Sequence, residues 1–323
     1  MLAVLCPGQG SQSPGMLAPW LELPGVPDQL AALGDAAQSD LVAHGTTSDA
    51  ETIRDTAVAQ PLIVASSLVA LRAILAGRDA AEVVDVTAGH SVGELAAAAV
   101  AGVLDDAGAV GLVAHRARFM AEAAAAEPTG MSAVVGGDPE EVLAAIEAAG
   151  LWPANVNSSG QVVAAGALEH LVRLAEAPPA KARVIPLQVA GAFHTPFMQP
   201  ALEKFEPVAA AWDVADPRVA FLSNADGEPY GRIDLEGSTH GKARDVVRRL
   251  TAQIAAPVRW DLCQETLADL GVTAVLELAP GGVLTGLARR TLPGVELVAV
   301  KSPADVDTAR DLIARHSSAG ASE

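Results

Sequence analysis

Aromatic side chains are scarce in this chain, at 3% of 323 residues. Apolar residues nevertheless make up 50% of it, so Ala, Val and Leu must fill the interior. Cysteine is scarcer still: Cys6 and Cys263 stand far apart and in no metal-ligand spacing. That excludes a disulfide-stapled scaffold or a thiolate metal centre, and fits a reduced, cytoplasmic setting. Basic residues are outnumbered 21 to 39, leaving a formal charge of −18. Such an imbalance argues against nucleic acid or an anionic membrane surface as a general partner, and any anionic substrate must meet a local cation. No apolar run is expected to approach the ~20 residues that a membrane-spanning helix needs. The first six residues have no basic head and soon meet Pro7-Gly8, unlike a secretory signal.

What is present reads as α/β. Residues 2–6 form a candidate buried strand, and 28–44 and 57–76 carry helical spacing. A short strand near 83–88 leads into a helix, and Asp105-Asp106 opens another that runs through Arg116 to about 126. Strands alternating with helices predict a parallel sheet covered on both faces. The character then changes. Residues 131–136 read as a strand, Asp138-Pro139-Glu140-Glu141 as a helix start, 153–157 and 161–165 as two strands, 167–177 as a helix and 182–189 as extended.

That βαββαβ order is the order of a small ferredoxin-like domain. The expected organisation is a discontinuous large α/β domain over 1–127 and 191–305, with 128–190 inserted as the small domain. Residues 306–323 supply a helix end and a tail, disordered over 317–323. Further helices are expected near 197–212, 242–255 and 260–270 and ending about 290, with strands near 219–223, 273–278 and 295–300.

The most specific stretch is Gly89-His90-Ser91-Val92-Gly93-Glu94, a G-x-S-x-G pattern where the strand meets the helix. At such a nucleophile elbow a tight turn lifts the serine hydroxyl clear of the surface, beside unpaired N–H groups of the helix N-terminus. A structural alternative exists: Ser91-x-x-Glu94 also fits a capping box, with Ser91 as N-cap. Capping does not call for the two glycines.

A serine nucleophile needs a base. Of seven histidines, His194 lies in Gly191-Ala192-Phe193-His194-Thr195-Pro196, a loop bounded by Gly and Pro. His170 and His316 sit in charged or polar segments, and His90 adjoins Ser91 too closely to serve easily. The turn Pro7-Gly8-Gln9-Gly10-Ser11-Gln12 has three readings: a failed dinucleotide fingerprint, since Ser13 stands where the third glycine should; an ordinary βα turn; or a loop bringing a backbone N–H beside the elbow.

Together with Arg116 in His115-Arg116-Ala117-Arg118-Phe119-Met120 and with Gln253-Ile254-Ala255-Ala256-Pro257-Val258-Arg259-Trp260, these stretches occur in order. Over residues 2–300 the chain resembles the malonyl-CoA:acyl carrier protein transacylases and is similar to polyketide synthase acyltransferase domains. The resemblance implies an α/β-hydrolase-like body with a ferredoxin-like insert. It implies that Ser91 is acylated, that His194 is base and later acid, and that the Gln9 and Val92 amides form an oxyanion hole. It further implies that Arg116 grips the free carboxylate of malonyl, that Gln253 orients His194 through an acceptor oxygen, and that Phe193 walls the acyl pocket as in malonyl-selective relatives. Asn155 and Asn157 lie near a family pattern with no assigned contact.

No metal or redox cofactor is implied, since the CoA thioester and phosphopantetheine are substrates. Malonyl-CoA and acyl carrier protein are the implied partners of a monomer. For an acidic carrier, Lys242, Arg244, Arg248 and Arg249 on one predicted helix and the pair Arg289-Arg290 are candidate docking cations; Asp245 in the same helix makes internal pairing the alternative. A polyketide acyltransferase with another extender unit, a serine esterase or thioesterase, and a non-catalytic acyl-CoA binder remain open.

Overall fold

The computed structural model of the protein describes residues 1–232, 239–240 and 242–317. Apart from Ser317, the tail expected to be disordered lies outside the described residues. Chain order begins with β1 (Leu2–Cys6), α1 (Val26–Ala37), α2 (Leu41–Thr46), α3 (Thr56–Leu75), β2 (Val86–Gly89), α4 (Gly93–Val100) and α5 (Asp106–Ala126). Then come β3 (Thr129–Gly136), α6 (Pro139–Ala148), β4 (Trp152–Ser158), β5 (Gln161–Ala167), α7 (Leu168–Glu176) and β6 (Ala182–Pro186). The remainder is α8 (Gln199–Ala211), β7 (Ala220–Leu222), β8 (Pro229–Arg232), β9 (Thr239–His240), α9 (Ala243–Ala252), β10 (Val258–Arg259), α10 (Trp260–Asp269), β11 (Ala274–Glu277), α11 (Val283–Thr291), β12 (Glu296–Ala299) and α12 (Val306–His316).

The architecture is mixed α/β with two sheets. The larger runs β12-β11-β1-β2-β7-β8-β9; its first five strands are parallel, and β8 and β9 add an antiparallel edge that the sequence reading lacks. Both faces are covered, which is why β1 is a continuous apolar run. Its side chains alternate between two cores: Leu2, Val4 and Cys6 face one, Ala3 and Leu5 the other.

Two expectations for the helices change. The single periodic stretch 28–44 is broken, because Gln38 turns left-handed at φ 52° and ends α1, and the Asp40 carboxylate then caps α2 by accepting the Ala43 N–H at 2.9 Å. The expectation of no long apolar run is overturned by α3, whose 20 residues are long and apolar enough to cross a membrane. It is buried on almost every side within the main core. A helix apolar all round belongs either to a bilayer or to the centre of a protein, and α3 lies at the centre.

The smaller sheet runs β10-β4-β5-β3-β6, with antiparallel pairing of β4 to β5, β5 to β3 and β3 to β6. It has its own core, including Val134, Ile146, Val162 and Leu174. The helix start at Asp138 caps α6 as its composition predicts, accepting the N–H groups of Glu140 and Glu141. Its fifth strand is a departure from the 128–190 boundary: β10 comes from much later in the chain and pairs in parallel with β4, Val258 against Asn155. Two residues directly before a helix carry no periodicity, so nothing marks them as a strand.

Close backbone approach decides where this fold tolerates side chains. A Cβ at Gly89 would meet the carbonyl carbon of Gly93 at 2.0 Å, and one at Gly93 would meet the Cys6 carbonyl oxygen at 2.2 Å. By contrast a Cβ at Gly286, inside α11, would meet nothing within 4 Å. Gly89→Ala should therefore lower the unfolding free energy by about 3 kcal/mol, the upper range for overpacking. Gly286→Ala should raise it by about 0.5–1 kcal/mol, the helix-propensity gain. Denaturant unfolding of the two variants checks both signs.

Candidate active site

Between β2 and α4 the chain turns through Ser91, which takes φ 53°. Left-handed geometry at a non-glycine residue is strained, and the surroundings hold it in place. Gly89 and Gly93 let the two arms of the turn press against each other and against the end of β1. Asn224 secures the apex, accepting the Ser91 N–H on Oδ1 at 2.8 Å and donating from Nδ2 to the Gly89 carbonyl at 2.7 Å. Ser91 does not cap the helix: the N-cap of α4 is Val92, which lends no side-chain bond. The Ser91 hydroxyl instead lies 2.6 Å from Nε2 of His194.

His194 also takes a left-handed φ, 61°, in the loop that returns from the smaller sheet. Thr195 ties that loop by donating to the Ala192 carbonyl at 2.6 Å, and the Ala192 N–H donates to Thr129 at 3.0 Å. Nδ1 of His194 stands 2.8 Å from the main-chain carbonyl of Gln253. A carbonyl only accepts, so the proton sits on Nδ1, and Nε2 is left to accept from Ser91. Burial, with the nearby Arg116 charge, pushes the imidazole pKa down to about 3 against the favourable carbonyl bond.

Gln253 thus meets His194 through its main chain, and its side chain is engaged elsewhere. Its Oε1 accepts from Arg116 Nη2 at 2.7 Å, while its Nε2 donates to the Ser91 carbonyl at 3.0 Å and to the Glu94 carboxylate. Arg116 projects from α5 and is fully buried, with Nη1 donating to Gln60 Oε1 at 2.6 Å and Nη2 only 3.4 Å from Ser91 Oγ. Its Nε has no partner among the described residues. Burial lowers its pKa to about 10, partly offset by Glu94. Arg118, two residues on, is exposed and lies over the Phe119 ring, so helical phase separates the two arginines.

Glu94, Asn224 and Gln60 are the participants that the sequence reading misses. Glu94 is fully buried; desolvation raises its carboxyl to about 8, against the Asn224 N–H, Arg116 and Gln253, which favour the charged form. Its only signal is a single carboxylate directly before the apolar Leu95 to Val100 run, a position that a capping box already accounts for. Nothing marks Asn224 or Gln60 by spacing.

The Gln9 and Val92 N–H groups take no part in the hydrogen bonds recorded among the described residues, and Gln9 and Ser91 both line a cleft of about 430 Å³ between the two sheets. Phe193, Met131, Val163 and Leu284 supply apolar wall, and Phe193 is 6% exposed. Asn155 and Asn157 line the same cleft, and His90 bonds Asn157 across it at 2.8 Å.

The candidate docking cations divide. On α9, Arg248 pairs with Asp245, Arg249 pairs with Asp226 at 2.6 Å and Arg244 donates to the Ala210 carbonyl. Arg289 and Arg290 are exposed at the end of α11 and form no ion pair among the described residues; Arg290 lies on the cleft wall.

Comparison with known proteins matches residues 4–309 to the acyl transferase domain family. The chain is 53% identical to the malonyl CoA-acyl carrier protein transacylase of Mycobacterium tuberculosis, over 97% of its own length and 100% of the relative's. Among solved structures, it superposes on MCAT from Mycobacterium tuberculosis with a TM-score of 0.87, covering 96% of this chain and 99% of that one. It also superposes, at 31% identity and a TM-score of 0.85, on a malonyl-transacylase in complex with its type II polyketide acyl-carrier protein, covering 96% and 99% of the two chains.

The burial of His194 has a measurable consequence. An unfolded imidazole takes a proton near 6.5, the folded one only near 3. Stability that depends on neutral His194 is therefore complete above pH 6.5 and lost as pH falls towards 3. Nitrogen NMR should find this ring neutral and protonated on Nδ1 at pH 5.5. A midpoint near 6.5 would contradict the assignment.

Proposed function

The chain belongs to the malonyl CoA-acyl carrier protein transacylases, and on that premise we propose that it moves malonyl from malonyl-CoA to the phosphopantetheine thiol of an acyl carrier protein through a malonyl-serine ester. The observation that carries this reading is the 2.6 Å Ser91–His194 contact with a buried guanidinium 3.4 Å from the same hydroxyl. Ser91 attacks the thioester carbonyl while His194 Nε2 takes its proton. The tetrahedral oxyanion is held by the Gln9 and Val92 amides, and the intermediate collapses by breaking the carbon–sulfur bond. His194 returns the proton to the departing CoA sulfur. The carrier's thiol then gives its proton to His194, attacks the ester and leaves with malonyl, and Ser91 regains its proton.

His194 has a carbonyl partner instead of a carboxylate, which fixes the tautomer but stabilises imidazolium less. Activated thioesters and a readily ionised thiol ask for less basicity than amide hydrolysis does. Arg116 supplies selectivity: the malonyl carboxylate is two carbon–carbon bonds from the ester carbonyl, within reach of a guanidinium beside Ser91. Each step uses side chains and backbone amides of this chain, without a metal or redox cofactor. We read the larger sheet as an α/β-hydrolase-like body and the smaller as its ferredoxin-like insert, in a cytoplasmic monomer. The free, buried thiols of Cys6 and Cys263 support the reducing setting. The unpaired Arg289 and Arg290 at the cleft are the better docking cations for an acidic carrier, since those of α9 are largely spent internally.

Intact-protein mass spectrometry after brief exposure to malonyl-CoA should find a malonyl adduct that is absent from Ser91→Ala and discharged by carrier protein. Rapid loss to water would instead indicate an esterase. Arg116→Ala should reduce the preference for malonyl-CoA over acetyl-CoA a hundredfold or more, in line with ~3–5 kcal/mol for one side of a buried ion pair. Arg289→Glu with Arg290→Glu should raise KM for the carrier severalfold and leave adduct formation from malonyl-CoA intact. An unchanged KM would exclude that docking surface.

A further inference from the structure

We propose that Glu94 is a positioning residue that sets acyl-carboxylate selectivity by orienting Arg116 through the side-chain amide of Gln253. The inference rests on Arg116 receiving the substrate carboxylate. Its basis is the direction of one amide. Gln253 Oε1 faces Arg116 Nη2, a group that can only donate. Gln253 Nε2 faces three acceptors: the Glu94 carboxylate, the Ser91 carbonyl and Asn224 Oδ1. The reversed amide would set an NH2 against the guanidinium and an oxygen against those acceptors, so only one orientation matches donor to acceptor on both sides.

Glu94 enforces that choice from beneath. One of its oxygens accepts the Asn224 N–H at 2.6 Å, and the other accepts from Gln253, so both are committed to N–H donors. A helix N-terminus alone would favour a carboxylate at this position of α4. It does not explain why this one is buried and turned towards Gln253. The same amide keeps Arg116 from settling on the carboxylate directly. A direct Glu94–Arg116 pair would occupy the guanidinium that substrate needs; with the amide between them, the Gln253 oxygen holds the cation in place and leaves Nη2 next to Ser91. The main-chain carbonyl of Gln253 serves His194 independently of this side-chain role.

Glu94→Gln replaces one acceptor with a donor, so either Asn224 or Gln253 loses its bond. Gln253→Met cuts the same bridge from the other side and retains the main-chain carbonyl. The readout is the ratio of kcat/KM for malonyl-CoA to that for acetyl-CoA, which is independent of how much enzyme is folded. The ratio should fall at least tenfold in each variant. Adding Glu94→Gln to Arg116→Ala should lower it no further, because the effect passes through Arg116. A ratio within threefold of the parent in Glu94→Gln, alongside a collapsed ratio in Arg116→Ala, overturns the proposal and leaves the carboxylate role of Arg116 standing. An unchanged ratio in Arg116→Ala overturns both. Should Glu94→Gln yield no active protein, the Gln253→Met ratio decides by the same threshold.

Discussion

The contact between the elbow and the end of β1 is the constraint on which the site depends. Gly93 lies so close to the Cys6 carbonyl, and Gly89 so close to Gly93, that neither position has room for a Cβ. This compression puts the strain of the turn on Ser91, whose φ of 53° is held by Asn224 from below and by Gln253 at its carbonyl. The hydroxyl is thereby lifted towards His194, and the Val92 N–H follows it at the head of α4. The turn after β1 lies alongside: a Cβ at Gly8 would come 2.7 Å from the His90 carbonyl, so Gln9 is brought next to the elbow by the same tight packing. Parallel pairing of β1 with β2, Cys6 opposite Gly89, fixes that register.

Gln253 is the second point of convergence. It follows α9 and precedes β10, the short strand that joins the smaller sheet beside β4. Gln253 thus lies, buried, on the stretch that links α9 to the smaller sheet. From that position its main chain orients the imidazole and its side chain links Glu94 to Arg116. One residue holds the groups for proton transfer and for acyl selectivity in register, and its backbone and side chain divide the work.

Ser91 and His194 were legible in the sequence because each sits in a local pattern with a chemical reason, an elbow and a Gly/Pro-bounded loop; Arg116 and Phe193 carry no such mark and came only with the family resemblance. The structure brings all four to one cleft or its floor. The strands and helices were legible where the local sequence marks them, as a continuous apolar run does β1 and an acidic helix start does α5. What escaped was produced by tertiary contact. Glu94 looked like a cap because a capping box and a buried carboxylate share the same letters, and Asn224 and Gln60 act at separations that spacing does not encode. Gln253 was placed beside His194, but its two functional atoms differ in kind, main-chain oxygen and side-chain amide, and a residue name does not distinguish them. The β10 pairing was hidden by its two-residue length; α3 was legible as a helix, but the reach of its apolar run was not, because Gln60, Ser66, Ser67 and Arg72 interrupt it.

The electrostatics of the cleft run against those of the molecule. A chain of −18 keeps a fully buried arginine beside its nucleophile, and that charge contributes to holding His194 neutral. On the proposed mechanism, an acyl group with a free carboxylate neutralises Arg116 when it binds. The guanidinium's smaller share of the His194 depression is relieved at that moment while the larger share from burial stays, so the imidazole becomes a somewhat stronger base as Ser91 comes within reach of the thioester. An acetyl group brings no such compensation and faces a weaker base beside an unmatched cation. Selectivity then arises in the chemical step as well as in binding, since the interaction that recognises the substrate also prepares the group that activates the nucleophile.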